Sequence, residues 1–358
     1  MIKSITIENF KCIRHLELDL APLTILVGPN GSGKSSILDA IELMRLGALK
    51  HSNPIKESTN PQLRDESNYI FFEEEKDLFL LGDEGKPISL GFSMDVDLKE
   101  VKAEIKKDYE NEHFKNLPRY REFLKKLLMK NGNVEVSYLF SYRSSYFKHQ
   151  YRIDREVFEF EQLQSERRSI PPELELSPAG TSMTAFLPSL IVKGYESTFF
   201  RKVSQILKEK LGRVYRLTAE RGSIPWSCET KYKPSWVGRR GEHLLEIFST
   251  LMMPSYNEKR FPYELLCKEF GILRGWAGWK EGNVLTSNYI DPKLGSSHKF
   301  PSLGYGSRQL LSVIAQLAFS EPGSMILVDE PEMSLHPCLL YTSPSPRDLS
   351  TSRMPSSA

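Results

Sequence analysis

The run Gly28-Pro29-Asn30-Gly31-Ser32-Gly33-Lys34-Ser35 constrains this 358-residue chain more tightly than any other stretch of it. It fits the pattern GxxxxGK[ST]. An apolar stretch, Leu23 to Val27, precedes it and reads as a strand, and a helical pattern beginning Ser36-Ile37-Leu38 follows. A strand that turns through glycines into a helix aims the backbone amides of the turn and of the helix N-terminus at one point, which is a ready site for phosphate. On this reading Gly28, Pro29, Asn30, Gly31, Ser32, Gly33 and Ser36 line the cradle. Lys34 neutralises the β and γ phosphates of a nucleoside triphosphate, and Ser35 offers its hydroxyl to Mg²⁺. A side chain at Gly31 or Gly33 would block the approach. The competing reading is a Gly/Ser-rich turn that matches by chance, and the strand and helix on its two sides argue against it.

A second constellation lies towards the other end. Met325-Ile326-Leu327-Val328 reads as a short buried strand, with Asp329-Glu330 at its carboxyl end, where open α/β sheets place their ligands. This is a Walker B pattern. Asp329 is expected to support the Mg²⁺ shell, and Glu330 to orient or deprotonate the attacking water while Lys34 holds the phosphates. A strand ending in two acids is commonplace taken alone. Together with the Gly28 to Ser35 loop it gains force, because phosphate cradle and water activator are needed together.

With 40% hydrophobic residues the chain can bury a genuine core, as one large domain or two ordinary ones. A net charge of +2 is too small to argue for nucleic acid. Cys12, Cys228, Cys267 and Cys338 show no paired spacing, so neither a zinc site nor a disulfide framework is indicated and a reducing cytoplasm is the simplest home. No stretch is long and apolar enough for a signal segment or a membrane span.

Along the chain, Ile2 to Ile7 and Cys12 to Leu20 alternate as antiparallel strands joined near Glu8-Asn9 and feeding the phosphate-loop strand. His51 to Pro87 is loop-rich and acidic. Val96 to Lys130 is a charged helical stretch interrupted at Pro118, and Val134 to Phe160 alternates as a meander of strands. In that meander Arg143, Lys148, Arg152 and Arg155 are interleaved with Tyr142, Tyr146, Phe147 and Tyr151; a half-exposed sheet is the ordinary explanation, a nucleic-acid surface the sharper one. Gln164 to Pro188 reads as a linker or lid. Ser197 to Leu211 and Gly241 to Met253 read as helices, Val214 to Leu217 and Val284 to Ile290 as strands. Ser302 to Ser307 is a turn that leads into an apolar helix, Arg308 to Phe319. After Pro337 the composition shifts to Ser, Pro, Thr and Arg without periodicity, which reads as a disordered tail.

ITIENFKCIRHLELDLAPLTILVGPNGSGKSSILDA (Ile5 to Ala40) with LGYGSRQLLSVIAQLAFSEPGSMILVDEPEMSLHP (Leu303 to Pro337) resembles the ABC-type AAA family ATPases related to RecF, the SMC heads and the OLD family. The resemblance implies an α/β P-loop NTPase of the ABC/SMC-head type, with an N-terminal antiparallel β element and an α+β insertion. It divides the chain into 1–50 (first half of the ATPase head), 51–295 (insertion or lid), 296–337 (signature helix and Walker B) and 338–358. It implies ATP and Mg²⁺ as ligands, heads that close as a homodimer around ATP, and coupling to DNA repair or phage defence through DNA or a partner nuclease or toxin. Leu303-Gly304-Tyr305-Gly306-Ser307-Arg308-Gln309 stands where relatives carry an LSxGxxQ signature loop, so Gly304, Gly306 and Ser307 are implied contacts to a partner's nucleotide, with glycine at 304 in place of the usual serine. Ser334-Leu335-His336-Pro337 resembles the loop that follows Walker B, and His336 is not the switch histidine. Lys11 matches a basic position near the phosphates in some relatives, although a solvated strand lysine competes. Glu220-Arg221-Gly222 looks family-like without an assigned role, and Gln62 is only a guess for the Q-loop.

CLLYTSPSPRD (Cys338 to Asp348) and SRMPSSA (Ser352 to Ala358) resemble translated sequencing-adapter sequence, so residues 338–358 are expected to be non-native and the C-terminal part of the core to be missing. The resemblance also implies that the strand between the Walker A and Walker B strands follows Walker B in sequence, so the 358-residue chain is expected to lack it and to be insoluble or inactive, since that loss costs more than the ~5 to 15 kcal/mol that holds a domain together. Two rival functions stand beside a DNA-coupled ATPase: a nucleotide-gated scaffold that controls a toxin or nuclease, and the ATP-binding subunit of a transporter. The N-terminal block and the long insertion speak against the transporter.

Overall fold

The computed structural model describes residues 2–50, 54–55, 59, 72, 74–115, 117–143, 146–163, 191–192, 195–229, 236–281 and 284–333. Gln62, the segment 164–188 read as a lid, the 334–337 loop and the 338–358 tail lie outside the described residues. The chain is mixed α/β and forms two compact units: Met1–Val214 with Gly323–Met325, and Tyr215–Pro322 with Ile326–Ala358.

In the first unit, β1 (Ile2–Phe10) and β2 (Ile13–Asp19) pair antiparallel with Phe10 opposite Ile13. The hairpin therefore turns at Lys11-Cys12, not near Glu8-Asn9: Phe10 is fully buried, so the strand runs on until its side chain is packed. Lys11 takes the left-handed conformation at φ 51°. Helix α1 (Lys34–Lys50) leaves the phosphate loop and buries Leu38 to Ala48 against the unit. β3 (Ile88–Asp97) then adds to the far edge of β1, followed in order by β4 (Asn133–Arg143), β5 (Tyr146–Ile153) and β6 (Glu156–Leu163), giving a six-stranded antiparallel sheet. Between β3 and β4 the charged stretch resolves into α2 (Leu98–Glu110) and α3 (Pro118–Met129), with Pro118 opening α3, the position where its missing N–H is harmless.

Side-chain alternation decides what this sheet can be. Tyr138, Phe140, Tyr142, Tyr151 and Ile153 are buried on one face. There Tyr151 and Phe158 meet Phe200 of α4 (Thr198–Gly212) edge-on at 5.6 and 5.0 Å. The opposite face carries Ser4, Ser93, Ser137 and Arg152 in one cross-strand row and Ser89, Ser141 and Lys148 in another, with the row of Thr6, Gly91, Leu139 and Gln150 between them. Lys148 and Arg152 thus lie on the other side of the sheet from the buried tyrosines. A half-exposed sheet remains the ordinary explanation of this alternation. A short hairpin, β7 (Ile191–Val192) and β8 (Tyr195–Glu196), leads into α4, whose N-cap Ser197 accepts from Phe200 N.

The second unit is built on β10 (Cys228–Glu229), β11 (Gly275–Glu281), β12 (Val284–Ile290) and β13 (Ser297–Lys299), with β12 pairing to the other three. α5 (Leu244–Leu251), α6 (Asn257–Glu269) and α7 (Tyr305–Phe319) share its core, where Phe248 stacks on Phe300 at 4.6 Å and Tyr263 meets Trp276 edge-on at 5.0 Å.

β9 (Val214–Leu217) pairs with β14 (Met325–Val328). Met325 N donates to Arg213 O and Asp329 N to Leu217 O, both at 3.0 Å, so the two backbones advance together in parallel. Leu23 to Val27, read as a strand, carries no ladder among the described residues, and Leu23, Ile25 and Val27 are 77%, 73% and 90% exposed. A strand exists only through its partner, and no described segment supplies one here.

Candidate functional site

The phosphate-type loop is shaped by its glycines. A β-carbon at Gly28 would stand 2.7 Å from Ser32 Oγ, and Gly31 and Gly33 adopt φ 77° and 94°, a region that other residues avoid. Ser32 N closes a turn onto Pro29 O at 3.2 Å, and Ile37 N makes the first helical bond onto Gly33 O at 3.0 Å. α1 starts at Lys34, so the amides of its first turn have no partner within the helix and join those of the loop as donors. The Lys34 ammonium donates to the carbonyls of Gly28 at 2.8 Å and Pro29 at 2.9 Å, which holds a cation at the mouth of the loop. Ser35 is exposed on the first turn. A loop turned through two glycines at positive φ, a lysine across it and a helix N-terminus beneath it fit a triphosphate.

The β1–β2 turn is fastened to this loop. Lys11 Nζ pairs with Asp39 Oδ2 on α1 at 2.5 Å, and Cys12 Sγ lies 3.5 Å from Ser36 Oγ. Gly33 faces that thiol, 3.1 Å from where its β-carbon would be. Lys11 is therefore an ion-paired turn residue, not a freely solvated one.

The two acids follow β14. Asp329 is mostly buried, and its Oδ2 accepts from Arg216 Nη2 of β9 at 3.3 Å. Glu330 is exposed and has φ 44°, a left-handed conformation that costs about 1–3 kcal/mol for such a residue and marks functional turns. Its carbonyl accepts from Met333 N at 3.0 Å. Arg221, fully buried, reaches the same turn: Nη1 donates to Asp329 O at 2.8 Å, and Nη2 to Glu330 O and Pro331 O at 3.1 Å each. Burial lowers the pKa of this guanidinium, and Glu332, Asp329, Tyr305 and Glu330 oppose that shift.

At the signature-like turn, Gly304 is the N-cap of α7 at an ordinary φ of −54°, and a β-carbon there would meet nothing within 4 Å. Glycine is not sterically required. Gly306 and Ser307 lie in the first turn of α7, and the Arg308 guanidinium lies 5.3 Å over the Tyr305 ring. Lys34, Ser35 and the loop belong to the first unit, Asp329, Glu330 and the α7 turn to the second.

Sequence reasoning missed Arg216 and gave Arg221 no role. One signal for Arg216 was legible: an arginine inside the apolar strand VYRL must find a buried partner. Among the described residues no cluster of His, Cys, Asp and Glu could hold a metal on its own, and no helix is long and apolar enough to cross a membrane.

The family model described as AAA ATPase domain matches residues 1–186, just over half of the chain. Over 44 residues the chain is 50% identical to the OLD nuclease of Thermus scotoductus, covering 12% of this chain and 8% of that protein. It is 49% identical over 49 residues to structural maintenance of chromosomes protein 6 of Dictyostelium discoideum (13% and 4%). It is 44% identical over 62 residues to the Septu protein PtuA of Bacillus mycoides (15% and 9%). Each match spans less than a tenth of the relative's length.

Proposed function

Because the chain belongs to the AAA ATPase domain family, we propose that it binds ATP with Mg²⁺ and hydrolyses it to gate work on DNA, in repair or in defence against phage. The short likenesses to an OLD nuclease and to a chromosome-maintenance protein support the ABC-, SMC- and OLD-like branch of the family. One observation carries the reading: the glycine loop that closes on Lys34 and runs directly into α1.

Each residue has a task set by its chemistry. Gly28, Pro29, Asn30, Gly31, Ser32, Gly33 and Ser36 surround the phosphates, and Lys34 exchanges its loop carbonyls for phosphate oxygens. Ser35 and Asp329 would hold the metal, whose chemistry is to neutralise charge that builds on the transferred phosphoryl group. Glu330, exposed at the end of β14, orients the water and takes its proton. Arg216 restrains the Asp329 carboxylate from one side. Gly304, Gly306 and Ser307 cap the nucleotide of a second copy, as implied by the signature-like turn.

A second reading, the nucleotide-gated scaffold that controls a nuclease or toxin, is favoured by Gly304. A side chain would fit there, yet no hydroxyl is present to reach a phosphate. Glu330→Gln in the full-length protein separates the possibilities. On the leading reading it lowers turnover at least about 100-fold, retains ATP and shifts the protein towards a dimer on a sizing column. Unchanged turnover removes Glu330 from the reaction; wild-type turnover that responds to a co-expressed neighbour protein and not to DNA favours the scaffold.

A further inference from the structure

Glu220-Arg221-Gly222 has no task in the reaction as assigned, yet it lies against both the turn that carries the two acids and the start of α7. Resting on the reading of Asp329 and Glu330 as metal and water residues, we propose that Arg221 is their positioning residue: its guanidinium fixes the backbone of 329–331 and ties it to α7.

The bonding pattern carries the inference. An arginine placed as an ion-pair partner takes carboxylates, as Arg216 does with Asp329. Arg221 takes backbone carbonyls instead, those of Thr218 at 3.0 Å on its own side and of the consecutive residues Asp329, Glu330 and Pro331 on the other. Three successive carbonyls held by one rigid, planar fork leave little freedom to the dihedrals between them. The residue in the middle is Glu330, whose φ of 44° would relax without external ties. Full burial of Arg221 keeps water from competing for those acceptors.

The other side of the segment is set by α7. Ser312 Oγ donates to Arg221 O at 2.8 Å. Gly241, at φ 86°, leaves room for that contact, since a β-carbon there would come within 2.6 Å of Arg221 O and 2.8 Å of Ser312 Oγ. At Gly222 a β-carbon would stand 3.0 Å from the Tyr305 ring. A shift of the first turns of α7 is therefore felt at the Arg221 backbone and, through its guanidinium, at Glu330. The signature-like turn and the water-orienting acid are joined by one side chain.

Arg221→Lys and Arg221→Gln in the full-length protein test this, with ATP and Mg-ATP as the probes. Turnover, the dissociation constants for ATP with and without Mg²⁺, thermal unfolding and hydrogen exchange of the 329–333 peptide are measured together. The expected result is turnover about 10- to 100-fold lower, with Gln worse than Lys. Affinity for metal-free ATP stays within about twofold because the phosphate loop is untouched, any weakening is confined to Mg-ATP through Asp329, and amide exchange of 329–333 becomes faster. Folded variants with wild-type turnover and exchange overturn the proposal. So does a parallel loss of turnover, affinity and global stability, which is what a purely structural arginine would give. If the wild type turns over no ATP while the variants still loosen 329–333, the roles of the acids fall and the hold of Arg221 on the turn stands. If Glu330→Gln is inactive and Arg221→Gln fully active, the positioning role alone falls.

Discussion

Cys12 places a thiol beside the phosphate loop, 3.5 Å from Ser36 Oγ and facing Gly33. It is exposed, whereas burial pushes Cys228 and Cys267 up to about 12, which leaves them almost no thiolate near neutrality. Iodoacetamide at pH 8 should therefore alkylate Cys12 well before Cys228 or Cys267, and Mg-ATP should slow that reaction by covering the loop. Peptide mass spectrometry over a time course checks both parts. Equal rates at the three thiols, or a Cys12 rate indifferent to Mg-ATP, contradict the placement of the turn against the loop.

Among the elements, α2, α3 and α4 are joined through one carboxylate. Asp108, 1% exposed, accepts from Tyr120 Oη at 3.0 Å, Ser197 Oγ at 2.6 Å, Thr198 Oγ1 at 2.7 Å and the amides of Thr198 and Phe199 at 3.0 and 3.1 Å. A carboxylate at the first turn of α4 also meets the positive end of that helix. Asp108→Ala leaves buried donors without partners and should cost about 2–4 kcal/mol in urea unfolding followed by circular dichroism, with Asp108→Asn recovering part of the loss. A loss below about 0.5 kcal/mol would place the junction's stability in apolar packing instead. Elements with local punctuation were legible in the sequence: Pro118 opens α3, Ser197 caps α4, and Val214–Leu217 and Met325–Val328 are strands as read. Others were not. α6 carries Pro262 inside a helix, where local rules forbid it, and β3 went unassigned even though ISLGFSMDVD alternates apolar and polar residues from end to end. The Arg221 contacts are tertiary across more than 100 residues, beyond any local pattern.

Over the whole molecule, the phosphate loop and the acid turn belong to stretches far apart in the chain, and the family match at residues 1–186 covers the first of them. The shape of the loop was legible because its glycines, lysine and following helix are contiguous. Its expected strand was not found, since Leu23 to Val27 depends on a ladder partner that no periodicity announces. The most direct measurement is a calorimetric titration of the full-length protein with ATP in the presence and absence of Mg²⁺, beside the Lys34→Ala variant. Saturable binding that strengthens with Mg²⁺ and falls at least about 30-fold in Lys34→Ala, roughly 2 kcal/mol of a charge-assisted phosphate contact, is the predicted result. No saturable binding, or equal affinity in wild type and Lys34→Ala, would contradict the assignment of this loop as the triphosphate site.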